Sequence, residues 1–155
     1  MKTNILILIV LLTGLWACNT AKTTIPYFRT GEVEFVKAEM PGTVTLISNS
    51  NASTYNDALL FAERNIFENL FFKGVPGSPQ ATPFIANEQE SLSVNKDFYS
   101  HFFNDGVYRR YVTKFYVIEK NTHKNGVSLR EEVTIDLKAL RTYLENEKII
   151  RKFGY

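Results

Sequence analysis

The chain has 155 residues, 45% of them apolar, and 18 basic against 16 acidic side chains give it a formal net charge of +2. That near-balance gives no support to a nucleic-acid or polyanion binder, and the length suits one ordinary domain. Its single cysteine, Cys18, excludes a disulfide framework.

The chain opens with Met1-Lys2-Thr3-Asn4, an apolar run from Ile5 to Leu12, and Ala17 immediately before Cys18. A positive start followed by a short apolar stretch is the pattern of an export leader. The Ile5–Ala17 stretch is too short for a membrane span, which needs about 20 apolar residues. Leu15 stands where an ordinary Ala-x-Ala cleavage site needs a small residue. Leu15-Trp16-Ala17-Cys18 instead resembles the lipobox of bacterial lipoproteins, although Trp16 occupies a position that is small or hydroxylic in that pattern. The resemblance implies cleavage before Cys18, diacylglycerol on its sulfur and a further acyl chain, such as palmitate, on the new amino terminus. Two or more acyl chains anchor a protein firmly where one does so only marginally. With Asn19 rather than Asp after the cysteine, the expected location is the periplasmic face of the outer membrane. Residues 1–17 are then a signal peptide, 18–30 a lipidated cysteine and tether, and 31–155 one domain. Loss of the leader removes only Lys2 from the charge count and leaves a net +1.

Within the domain, residues 32–37 are expected as a short strand with Val33 and Phe35 on one side. A second strand over 43–49 follows the Pro41-Gly42 turn. A helix is expected from Thr54 to Lys73. Thr54 and Asp57 have capping-box spacing, and Gly74 stops it. Ala58, Leu59, Ala62, Ile66, Leu70 and Phe71 share a face, with Asp57, Glu63, Arg64 and Glu68 largely off it. Residues 74–94 contain Pro76, Pro79 and Pro83 and read as a long loop, of the kind that is either functional or disordered. A short helix over 95–104 and a turn at Asp105-Gly106 lead to a strand over 107–119. Residues 127–137 alternate, with Val127, Leu129, Val133, Ile135 and Leu137 on one face and only Glu131 breaking the apolar row. Residues 120–126 suit a hairpin connection. Asp136 caps a last helix carrying Leu140 and Leu144, and 148–153 forms a final strand or a tail. The predicted class is α+β: an antiparallel sheet of three to five strands, one face wet and the other covered by two or three helices.

No catalytic or metal-binding pattern emerges. His101 and His123 are isolated, and zinc needs three or four ligands. Gly77-Ser78-Pro79 is not a nucleophile elbow. Glu131 and Glu132 are neighbours on a strand and so face opposite ways. The expectation is a non-catalytic protein without metal or cofactor. Tyr and Arg are enriched at interface hot spots. Tyr108, Arg109, Arg110 and Tyr111 are therefore candidate partner contacts. In the proline-rich loop Phe84 and Ile85, with Val75, are candidate apolar anchors.

Two family resemblances bear on partners. Residues 53–74 resemble the peptidoglycan-binding helix of OmpA-like domains at Tyr55-Asn56, Arg64 and Gly74-Val75, while Ile47-Ser48-Asn49-Ser50 stands in place of that family's Gly-His-Thr-Asp. This implies peptidoglycan binding through Arg64 and Asp57. Over roughly 31–150 the chain resembles a small lipoprotein domain related to the amino-terminal domain of flagellar assembly protein T. The resemblance lies in Asp57-Ala58, Ala62-Glu63-Arg64-Asn65, the Asp105-Gly106-Val107-Tyr108-Arg109-Arg110-Tyr111 run and the helix holding Leu140 and Leu144. It implies a non-catalytic structural or assembly role in a multi-protein envelope complex, such as a secretion or motility apparatus, with protein partners, a membrane anchor and no nucleic acid.

Overall fold

The computed structural model describes residues 31–152. The leader, Cys18 and the tether lie outside the described residues. Four strands, β1 (Val33–Lys37), β2 (Thr43–Ala52), β3 (Val112–His123) and β4 (Gly126–Asp136), form one antiparallel sheet in the order β1-β2-β4-β3. Helix α1 (Tyr55–Phe72) lies across β2 and β4, with short helices α2 (Glu88–Val94) and α3 (Lys96–Tyr99) after it and α4 (Leu137–Asn146) closing the domain. The protein is α+β, and the apolar core lies between the helices and one face of the sheet.

Local chemistry sets the element ends. The Thr54 hydroxyl accepts from the Asp57 amide and donates to the Asp57 carboxylate, so the capping pair starts α1. The Asp136 carboxylate accepts from the Ala139 amide at 2.8 Å and turns β4 directly into α4. Gly74, at φ 74°, ends α1 in the left-handed region, and a Cβ there would collide with the Ala81 backbone. Gly74→Ala is therefore expected to cost about 2 kcal/mol or more of stability, read as a lower urea midpoint. An unchanged midpoint would show that this turn can relax.

Several elements differ from the sequence expectation. The strand expected over 107–119 is a 3-10 turn at Val107–Tyr111 followed by β3, which runs on to His123. The hairpin connection is accordingly tighter than 120–126, with Lys124-Asn125 as the turn. The last third of the 74–94 loop, Glu88–Val94, is α2. The part before it is tied to the end of α1 by the Phe84 and Ile85 amides, which donate to the Leu70 and Phe71 carbonyls. The helix expected over 95–104 is one turn of α-helix that opens into a π-helical turn, Ser100–Asn104. No strand forms over 148–152. Glu63 and Glu68 are buried, not solvated, because α1 is covered by the sheet on one side and by the 96–111 segment on the other.

That covering segment is aromatic. Phe102, fully buried, packs its ring against Phe67, Phe71, Phe98, Phe103, Tyr108, Tyr111 and Tyr143. Edge-to-face and offset contacts of this kind add to the burial of each ring. The cluster joins α1, the π turn, the 3-10 turn and α4 into one core.

Candidate protein-interaction site

The sequence-derived contact residues separate into two groups. Tyr108 and Tyr111 are core residues, and Ile85 is 6% exposed, so these three side chains are not presented to a partner. The physical reason is the 3-10 turn: its three-residue period puts Tyr108 and Tyr111 on the same inward side. Arg109 and Arg110 remain exposed, and Phe84 is half-buried.

Arg109 and Tyr108 serve an internal site. Glu63 on α1 accepts from the Tyr108 hydroxyl at 2.7 Å and from Arg109 Nε at 3.0 Å. Burial first, and then the adjacent Glu63 carboxylate, pushes the Tyr108 phenol well above its usual range. Beside them on β4 is Glu131, 0% exposed, with neither carboxyl oxygen hydrogen-bonded. Its cross-strand neighbour on β2 is Ser48, also 0% exposed and with an unpaired hydroxyl. Burial, reinforced by the charge of Glu63 and opposed by Arg109, pushes the Glu131 carboxyl up to about 8. The group is therefore neutral at pH 7 and enclosed between α1 and the sheet. The interruption of the apolar row was visible in the sequence; its neighbours came from three separate segments.

Phe84 belongs to a solvent-open groove of about 660 Å³ between α2 and the segment after α4. Val94, 75% exposed, and the half-buried Ile149 and Ile150 supply apolar surface, and Arg141, Arg151 and Glu90 supply charge of both signs. The Arg141 guanidinium lies 5.1 Å from the Phe84 ring centre. Lys148, at φ 60°, ends α4 in the left-handed region, and the Ile149 amide returns to the Leu144 carbonyl at 2.9 Å. That reversal brings Ile149 and Ile150 back to the groove. Sequence reasoning found Phe84 but not these residues, because their role depends on how the chain turns after α4.

The remaining candidates are occupied locally. Arg64 donates to Glu68 at 2.9 Å and lies over the Phe103 ring, and Asp57 is held by Thr54. His101 contacts Asp105 and His123 contacts Ser128. Among the described residues no group of three or more His, Cys, Asp or Glu side chains is placed to hold a metal ion. No helix among them is long and apolar enough to cross a membrane. No protein-family model, curated protein or solved structure matches this chain.

Proposed function

We propose that this protein is a lipid-anchored outer-membrane component facing the periplasm, with a non-catalytic structural or assembly role in a multi-protein envelope complex. The Leu15–Cys18 sequence supports the anchor. The observation that carries the partner-binding half is the groove: Val94 is exposed, Phe84, Ile149 and Ile150 are half-buried along it, and Arg141, Arg151 and Glu90 are its charged lining. Exposed apolar surface bordered by charge is typical of a protein contact. The peptidoglycan reading draws less support, since Glu68 and Phe103 already engage Arg64.

The test uses the full chain in its native envelope, with a photo-crosslinking residue replacing Val94. The expected product is an adduct with another envelope protein, reduced when Phe84 is changed to Glu. Recovery of uncrosslinked protein alone, or of self-adducts alone, would defeat the assembly reading. The anchor is tested separately by Cys18→Ala, which should abolish acyl labelling and release the protein from outer-membrane fractions. Unchanged fractionation would remove the lipoprotein half.

A further inference from the structure

We propose that the free edge of β3 pairs with the β3 edge of a second copy of this chain, antiparallel and about a two-fold axis at Tyr116. The surface is distinct from the groove, and the inference does not depend on the function proposed above.

An edge strand offers unpaired backbone donors and acceptors to another strand, and proteins normally keep such edges short, charged or covered. Edge strand β1 follows that rule with five residues. Edge strand β3 has 12, and its packing is chiefly against β4 and the 3-10 turn before it. Helix α1 lies over β2 and β4 instead. Four consecutive apolar residues of β3 are consequently open to solvent: Phe115 at 58%, Tyr116 at 60%, Val117 at 37% and Ile118 at 51% exposed.

The pairing with β4 assigns each β3 residue to a face. Val112, Phe115, Val117 and Lys120 lie opposite Ile135, Val133, Glu131 and Leu129, on the helix side. Lys114, Tyr116 and Glu119 lie opposite Thr134, Glu132 and Arg130, on the outer side. Register shifts at Thr113 and Ile118 leave those two residues without an opposed residue on β4, although the Thr113 hydroxyl donates to the Thr134 carbonyl at 3.2 Å.

A two-fold axis perpendicular to the sheet keeps both faces, so only registers that match like faces are allowed. With the axis at Tyr116, the two copies of Tyr116 lie opposite each other, and Phe115 meets Val117 of the second copy. Stepping over Ile118, Lys114 meets Glu119. Stepping over Thr113 as well, Val112 meets the aliphatic stem of Lys120. The two irregularities compensate, because each strand carries both. The three central pairs are then aromatic with aromatic, apolar with apolar and opposite in charge, and such pairs stabilise a sheet. At the outer pair only the stem of Lys120 meets Val112, since its Nζ lies over the Tyr55 ring. Moving the axis to Val117 would set Tyr116 against Glu119 and separate Lys114 from Glu119. The charges therefore select the Tyr116 register. The product is a continuous eight-stranded sheet in which the β3 backbone gains the partners it lacks.

The test uses the full chain in detergent, with the unsubstituted protein, whose one cysteine is Cys18, as control. Opposed Cβ atoms across such a pair are about 4.5–5.5 Å apart, near disulfide reach. Tyr116→Cys is expected to give a disulfide-linked dimer on mild oxidation, and Lys114→Cys alone is not. In sedimentation, Lys114→Glu places like charges opposite each other twice per dimer and should weaken association about tenfold. The double change Lys114→Glu with Glu119→Lys should restore it. All three positions are exposed, and circular dichroism checks that each variant folds. A chain that stays monomeric at every concentration reached overturns the inference. So does a dimer indifferent to the charge swap, or a Tyr116→Cys cross-link that forms only with a different protein. Because the groove is read at Val94, either proposal can fail without the other.

Discussion

Glu131→Leu is expected to make the protein more stable at pH 8, and by less at pH 4.5. Glu131 is fully buried with no hydrogen-bond partner for either oxygen. Burial raises its carboxyl from the ordinary 4.5 to about 8, with the charge of Glu63 adding to the shift. Between those two values the folded protein holds a proton that the unfolded chain has released. Stability is therefore fully present below pH 4.5, falls as pH rises through the interval, and levels off above pH 8. The total loss is on the order of 3–5 kcal/mol, a large part of a typical domain's stability. The other perturbed groups do not share this window. The Glu39 carboxyl is lowered by its hydrogen bond with Lys37, and the tyrosines Tyr99, Tyr108, Tyr111 and Tyr143 are raised by burial from 10. Leucine completes the apolar row formed by Leu129, Val133 and Ile135 and removes two unpaired buried oxygens. Urea unfolding from pH 4 to 9 is the measurement. The parent should lose stability across the interval, and the variant should flatten that slope. A parent whose stability is constant or rises from pH 5 to 8 would show that Glu131 ionises freely or finds a partner.

Phe102→Ala should remove about 3–5 kcal/mol, the range for truncating a buried phenylalanine. The ring is fully buried, and its contacts reach α1, the 3-10 turn and α4. Those neighbours are anchored by different backbone segments, so they cannot all close on the space left behind. Met40→Ala, at a residue 53% exposed, serves as the control and should stay within about 0.5 kcal/mol of the parent. Equal losses from the two changes would mean that the aromatic cluster is loosely packed. A weakened cluster should also loosen Tyr108 from Glu63, since Tyr108 packs beside Phe102 and Phe67.

The residues of the β3 edge and of the buried Glu131 site differ in how far the sequence reveals them. Four apolar residues in a row, bounded by Lys114 and Glu119, were visible along β3. Their exposure was not, because a strand buried on both faces carries the same pattern. Glu131 stood out as a gap in an alternating row. Whether such a gap meets water, a counter-ion or nothing depends on what lies across the sheet interface.

What the sequence determined by itself was mostly local. Thr54, Gly74 and Asp136 set element ends because capping and left-handed turns involve atoms within a few residues of one another. The alternation of β4 set its faces, because the side-chain period of a strand is two. Together these were enough for the α+β class. Tertiary structure decided the rest. It turned Tyr108 and Tyr111 inward, buried Glu63 against Tyr108 and Glu68 beside Arg64, and left β3 uncovered at the sheet edge. Each outcome depends on which segment arrives opposite a residue from far along the chain, and local spacing carries no record of that.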